Sequence, residues 1–470
     1  MGTPVGTLVR RAPVTIEPGA TVRQAAALMS ESRISSLLVT QDGLLQGIVT
    51  DRDLRTRVVA AGLDTARPVA EIATASPVTV DTLMTAFDAF MLMTRRNLHH
   101  LPVMDGQRIV GMLTPSDISW HQSTSAVFLA QDIFRQDRVE DMQTVCARVP
   151  TLQRNLSQAD ATADAMGRVL TAIVDTLTVR LLTLAEVRLG PPPVPYVWVA
   201  AGSQARHELT ARSDQDNCMV LSDDYDASRH HDYFEALARS VCAGLNACGY
   251  VYCPGEMMAI TDTWRQPAAT WRSRFEAWID QPSPQALMQT CVFFDLRAVH
   301  GSAELLDAVR ADVLHKTRDS SIFLAHLARN AVARRPPLTL FGRLATSRTG
   351  PNRGTLDLKL SGIAPVVDLA RIYALASGEA AVNTRQRLQA AAQTHQISSQ
   401  GAEDLRDTLE FLSAMRIRHQ VRQSEAGQVP DNRVSPSELS NFERTQLKDA
   451  FKAVADQQAA LAQRYQLARF

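Results

Sequence analysis

A chain of 470 residues exceeds what a single hydrophobic core fills, so two to four domains are expected. Its composition, 45% hydrophobic and 21% charged, is ordinary for a globular protein. The 49 basic and 49 acidic side chains cancel, which argues against a nucleic-acid partner gripped through the overall field of the molecule.

Met1-Gly2-Thr3-Pro4 has neither a charged n-region nor an apolar h-region, and no apolar run approaches the roughly 18 residues of a membrane span. Cys146, Cys218, Cys242, Cys248, Cys253 and Cys291 form no C-x-x-C pair and have no histidines at zinc-finger spacing. A reducing, cytoplasmic setting without a membrane partner is expected.

An ungapped repeat opens the chain. Pro13-Val14-Thr15 recurs as Pro77-Val78-Thr79, Gly47-Ile48-Val49-Thr50 as Gly111-Met112-Leu113-Thr114, and Asp53 as Asp117, all at an offset of 64. The first copy predicts an extended segment (14–16), a helix through Val22, Ala26 and Met29, and a buried strand (36–39). A turn at Asp42-Gly43, a second strand (46–50) and a helix from Asp51 follow. The second copy repeats this through Ala86, Phe90 and Met93, then 101–103, Asp105-Gly106 and 109–113.

This β-α-β-β-α repeat resembles a tandem pair of CBS domains over residues 6–122, with copies at 6–60 and 70–122. The resemblance rests most specifically on two strands ending G-h-h-T followed by x-x-D. It implies a regulatory adenine nucleotide held at Thr50, Asp53, Thr114 and Asp117, with carboxylates on ribose and the helix N-termini favouring phosphate. Leu37, Leu38, Leu101 and Pro102 would flank the adenine. A plainer reading stands beside it, in which each Thr and Asp caps the following helix. Which adenine nucleotide binds is not encoded. CBS pairs commonly associate side by side, so a homodimer is implied.

Residues 123–190 predict connector helices, with an apolar stripe through Met166, Val169, Leu170, Ile173, Val174 and Leu177; Gly190-Pro-Pro-Pro193 ends them. A buried strand (196–201) then leads into a tight turn at Gly202-Ser203 and a short helix. Asp214-Gln-Asp216 enters a second strand that runs to Leu221. Aspartates two apart on a strand face the same side. At about 4 Å they repel by roughly 4 kcal/mol at an effective dielectric near 20, so a dication or a shared proton belongs between them. Hard oxygen ligands suit Mg²⁺ (or Mn²⁺) completed by substrate phosphates. Gly202 lets the backbone approach a triphosphate, to which Ser203 can donate.

The order strand, Gly-Ser, helix, Asp-x-Asp resembles the polymerase-β-type nucleotidyltransferases. Gly202-Ser-Gln-Ala-Arg-His-Glu208 with Ser213-Asp-Gln-Asp-Asn217 is closer to the nucleotidyltransferase domain related to protein-PII uridylyltransferase. The chain looks like the bacterial family that fuses a CBS pair to such a domain, here over 191–302. The resemblance implies Asp214 and Asp216 as catalytic metal ligands, Gly202 and Ser203 at the triphosphate, and Arg206 bracing the loop or touching phosphate. A third acid, Asp295, taken as ending an apolar strand, would help activate the attacking hydroxyl. Bland alternatives are a surface turn at the Asp-x-Asp, an Asp295–Arg297 ion pair, and an Arg206–Glu208 pair.

Residues 303–470 read as helices over 305–314, 322–332, 364–376, 384–394, 402–423 and 436–469. Through Asp357-Leu-Lys359, Pro365-Val-Val-Asp-Leu-Ala-Arg371, Asn383-Thr384, Arg416, His419-Gln420 and Asp431-Asn432 they resemble the helical substrate-binding domain of the same family. Lys359, Arg371 and Arg416 are candidate nucleotide or acceptor contacts, with an Asp368–Arg371 ion pair as the alternative.

The fold class expected is multidomain α/β and α+β: a tandem CBS pair, a polymerase-β-like domain with a mixed sheet, and a C-terminal helical bundle. The activity implied is Mg²⁺-dependent transfer of a nucleoside monophosphate from an NTP to a hydroxyl of a regulatory protein or a small molecule. A non-catalytic adenine-nucleotide sensor or scaffold is the rival.

Overall fold

The computed structural model describes residues 4–9, 12–32, 34–114, 124–339, 342–347, 349–350 and 352–467. It forms two compact units, 1–127 and 128–470, of mixed α/β architecture with a helical C-terminal region.

In the first unit β1 (Thr15–Ile16), α1 (Val22–Ser32), β2 (Ser36–Gln41), β3 (Leu44–Thr50), α2 (Asp51–Asp53) and β4 (Thr74–Ala75) build a sheet ordered β1-β2-β3-β4. The second copy contributes β5 (Val80–Asp81), α3 (Ala86–Arg95), β6 (Leu101–Asp105) and β7 (Arg108–Leu113), ordered β5-β6-β7. The sequence offset reappears as register. Ile16 pairs with Val39 in parallel and Val80 with Val103, and each hairpin slips its register at the equivalent place, Val39/Thr40 and Val103/Met104. Each copy has its own core, Val22, Met29, Leu37 and Val49 in one, Phe90, Met93, Leu101 and Leu113 in the other.

α4 (Thr124–Arg135) spans the division at 127/128, and the second unit continues with α5 (Val139–Cys146), α6 (Val149–Gln158) and the 27-residue α7 (Ala163–Leu189), which Thr162 caps by accepting from Ala165 N–H. Then come β8 (Tyr196–Ala201), α8 (Gly202–Ala205), β9 (Asn217–Leu221), α9 (Ala227–Ala247), β10 (Arg265–Pro267), α10 (Ala268–Asp280), α11 (Pro284–Phe293) and β11 (Leu296–Gly301). The sheet runs β10-β9-β8-β11, parallel at β10/β9 and antiparallel elsewhere. All of β8 is buried, as its unbroken apolar run requires.

The chain continues through α12 (Ala303–Asp319), α13 (Ser321–Ala333), β12 (Leu356–Asp357), α14 (Ala364–Ser377), α15 (Thr384–Gln393), α16 (Ser399–Glu425), β13 (Arg433–Val434) and α17 (Asn441–Arg464). One continuous core joins these helices to the sheet, from Val197 through Leu296 and Val366 to Leu461, so the expected boundary at 302 falls inside it.

Two expectations are corrected. Val292–Phe294 closes α11 instead of forming a strand; Ser283 caps that helix and Pro284 occupies its first turn, while a short apolar run has no periodicity to separate helix from strand. Segment Lys359–Ser377 is long and apolar enough to cross a membrane, contrary to the reading of the sequence, but 72% of its apolar window is buried inside the protein. Its surface is consumed by the core.

Candidate functional site

β8 delivers the chain to Gly202, whose φ of +57° is the left-handed region that glycine enters freely. A Cβ there would sit 2.9 Å from Asp216 Oδ2, so the glycine also keeps the space beside that carboxylate open. Ala201 N–H donates to Asp216 O and Gly202 N–H to Asp295 O, each at 3.0 Å, locking the turn between two later segments.

Asp214 and Asp216 lie in the extended lead-in to β9 rather than within it. Gln215 between them is buried, its side-chain amide donating to Cys242 O and Tyr250 O while its N–H donates to Val251 O at 3.0 Å. The acids are partly exposed on the other side. Their oxygens and Cys253 Sγ lie within 4.8 Å of one another, the cation-holding group found among the described residues. Burial first, and then the Asp214 charge, push the Asp216 carboxyl up to about 6, against the pull of the Cys253 thiol, Lys359 and Arg206. Repelling carboxylates, a thiol and the pocket kept by Gly202 form a donor set that suits a divalent cation.

Cations come from the C-terminal helices. Lys359, in a wide π-type turn that leads into α14, faces both acids; burial and then Arg416 lower its ammonium. Arg416 on α16 is brought down to about 10 by burial, against Asp357, Asp214 and Glu208. Its Nε donates to Asn432 Oδ1 at 2.6 Å. A cleft between the turn that follows β8 and these helices is lined by Ser203, Arg206, Lys359, Arg385, Glu410 and Arg416. Four expected contacts, Ser203, Arg206, Lys359 and Arg416, therefore share the wall of one cleft.

Asp295 and Arg371 do not join that wall. Asp295 is fully buried, accepting from Arg371 Nε (3.0 Å) and Arg387 Nη1 (2.5 Å) on Oδ1, and from Arg206 Nη1 (2.6 Å) and Arg371 Nη2 (2.7 Å) on Oδ2. Burial alone would raise its carboxyl; the guanidiniums of Arg371, Arg387 and Arg206 outweigh it and hold it well below the carboxylate range. With both oxygens so engaged, the expected hydroxyl-activating role gives way to that of an anchor. Arg371 likewise spends its donors on Asp295 and Asp368, not on phosphate. The alternative partner, Arg297, binds Asp175 instead. Arg206 bridges the hub and Glu208, while Asn383 Nδ2 donates to Arg206 O at 2.7 Å.

Cys253 and Arg387 escaped the sequence reading. Cys253-Pro-Gly255 after an apolar stretch carried a turn signal but no hint of what it would face. Arg387 acts on a partner 92 positions away and has no local signature.

In the first unit Thr50 and Asp53 form a reciprocal capping box: Asp53 Oδ2 accepts from Thr50 N–H and Oγ1, and Thr50 Oγ1 accepts from Asp53 N–H. Arg57 flanks Asp53 at 3.4 Å. Ser35 and His100 link the copies at 2.8 Å. Thr114 is partly buried, and Asp117 lies outside the described residues.

The CBS domain profile matches residues 5–60 and 69–121. The "CBS domain-containing protein YhcV" of Bacillus subtilis is 32% identical over 111 residues, 24% of this chain and 79% of that protein. The chain belongs to the CBS-domain proteins. Within this CBS-domain protein, residues 147–285 match "Putative nucleotidyltransferase DUF294" and 321–465 match "Putative nucleotidyltransferase substrate binding domain". It thus combines a CBS pair with a domain of the DUF294 family and that family's C-terminal partner domain. Inosine-5'-monophosphate dehydrogenase of Mycobacterium tuberculosis is 40% identical over 108 residues, 22% of this chain, which spans only 20% of that enzyme. A CBS domain protein of Pyrobaculum aerophilum, solved with AMP, is 27% identical, covers 26% of this chain and 93% of its own, and has a TM-score of 0.24.

Proposed function

We propose that this protein is a divalent-cation-dependent nucleotidyltransferase, similar to protein-PII uridylyltransferase, that moves a nucleoside monophosphate from an NTP to a hydroxyl of a protein or small molecule. The observation that carries the reading is the convergence of Asp214 and Asp216 beside the Gly202 bend, opposite Lys359 and Arg416. Asp214 and Asp216 would hold the cation, Mg²⁺ or Mn²⁺, which when bound offsets charge on the triphosphate. Gly202 admits the phosphates, Ser203 donates to them, and Lys359, Arg206 and Arg416 neutralise oxygens from the helical side. In this reading the acceptor would enter the cleft lined by Ser203, Arg385 and Glu410.

Incubation of the purified protein with labelled NTPs, Mg²⁺ or Mn²⁺ and cell extract should give label transfer that Asp214→Ala/Asp216→Ala abolishes. Equal transfer by the two proteins would sink the assignment. A second reading draws on the hub: with Asp295 committed to three arginines, the acids could bind nucleotide without turnover, leaving a sensor or scaffold. Nucleotide-dependent thermal stabilisation without label transfer would favour it. We further propose that adenine nucleotides bound at the CBS pair bias the transferase.

A further inference from the structure

The loop that leads to Asp214 also borders a cavity of about 360 Å³ that plays no part in the transferase reading. Its walls come from α6, the 211–212 turn and the C-terminal end of α16, with Gln153, Arg154, Arg212, Gln420 and Glu425 among the lining. Buried Gln153 accepts from Ala211 N–H at 2.6 Å and so pins the loop to α6, while Thr210 Oγ1 donates to Arg212 O at 3.1 Å. On the opposite wall Gln420 is buried too, and its orientation is fixed. Arg416 can only donate, so the Asn432 atom that accepts from its Nε at 2.6 Å is oxygen; Gln420 meets that oxygen with Nε2 at 3.2 Å. Gln420 Oε1 is thereby left buried without a partner among the described residues, a state folded proteins rarely keep without a reason. The guanidiniums of Arg154 and Arg212 likewise have no ion-pair partner among the described residues, whereas Glu425 is engaged by Gln158 Nε2 at 3.5 Å.

We propose that this cavity is a second ligand site, for a small aliphatic phosphate monoester bearing a free hydroxyl, and that its occupant steadies the loop that carries Asp214. The site goes beyond the transferase reading and stands without it; only the effect on the cation rests on that reading. Small-molecule sites begin near about 300 Å³, so the cavity suits a compact ligand. Among the described lining residues none is aromatic, which leaves a nucleobase nothing to stack on. Two uncommitted guanidiniums match a phosphate monoester, which carries roughly two negative charges near pH 7 and accepts guanidinium hydrogen bonds in pairs. A single carboxylate would leave one positive charge in excess. The ligand's hydroxyl supplies the donor that Gln420 Oε1 lacks. Arg154 stands on α6 and Arg212 on the loop, so a phosphate shared by both ties the loop to the helix two residues before Asp214.

Calorimetry on the full chain tests this with two probes, glycerol 3-phosphate and methyl phosphate, the second lacking the hydroxyl. Wild type should bind glycerol 3-phosphate the more tightly. Arg154→Ala and Arg212→Ala should each weaken that binding by about tenfold or more, the scale of a hydrogen bond to a charged group. Gln420→Met, which removes the acceptor at similar volume, should erase the preference over methyl phosphate; circular dichroism checks that the variants fold. Glycerol 3-phosphate should also tighten Mn²⁺ binding, read by electron paramagnetic resonance, by about fivefold or more in wild type and leave it unchanged in Arg154→Ala. No binding by wild type, or binding undiminished in both arginine variants, overturns the site. A preference that survives Gln420→Met overturns the hydroxyl contact and means that water alone meets Oε1. Binding that leaves Mn²⁺ affinity untouched overturns the link to Asp214. The transferase reading has its own separate failure, label transfer unchanged in Asp214→Ala/Asp216→Ala.

Discussion

Asp295 carries its charge where water does not reach, and three guanidiniums make that tolerable. Replacing it by Asn leaves Arg206, Arg371 and Arg387 facing one another without their counter-charge. Breaking a buried network from one side typically costs about 3–5 kcal/mol, so Asp295→Asn should lose stability on that scale in urea titrations. The pH dependence has a definite sign. The folded carboxyl titrates below its unfolded value, so its contribution is present above the ordinary carboxylate pKa of about 3.9 and is lost as pH falls below it. Wild-type urea midpoints should therefore drop on acidification through that range, and the variant's should drop less. Gly202→Ala combines a left-handed backbone, about 1–2 kcal/mol for a residue with a Cβ, with intrusion on Asp216. A lowered denaturation midpoint together with weakened divalent binding is the expected outcome. At this scale the sequence was informative where chemistry is local. Gly202, Ser203, Asp214 and Asp216 could be picked out from one short string, and the structure gathers them at one bend. Arg387 and Cys253 matter only through chain segments that folding brings to them, so no string announced them.

Helices set how closely the site's parts approach. A Cβ on Gly244 of α9 would come within 2.5 Å of a Leu181 methyl on α7. Gly244→Ala should cost about 1–3 kcal/mol as overpacking, partly recovered by adding Leu181→Ala; denaturation of the single and double variants checks the coupling. At α15, Asn383 both caps the helix through Gln386 N–H and holds Arg206 O. Asn383→Ala should lose about 1 kcal/mol as a cap and also weaken NTP-induced thermal stabilisation, which a remote cap would leave alone. Periodic elements such as α14 and α16, and the wholly apolar β8, were readable in advance to within a few residues, as was the end of α7 before Gly190. The segment before Asp295 was not, because three apolar residues satisfy a strand and a helix end equally well.

Across the whole molecule the repeat was legible because its offset is exact in sequence and survives as strand register. With AMP as probe at 100 times its Kd, the protein should gain about 2.7 kcal/mol of stability, and Asp53→Ala should remove that gain. If the CBS pair governs the transferase, NTP affinity with and without AMP should differ by about 5- to 150-fold. The second unit carries a different lesson. Two profiles divide it at 147–285 and 321–465, yet one core runs through both. Expressed alone, either fragment would present a broad oily surface to water and precipitate, whereas the two produced together in one cell should find each other and dissolve. Loss of either gene segment would strand the other, so the pair is expected to be inherited as a single piece.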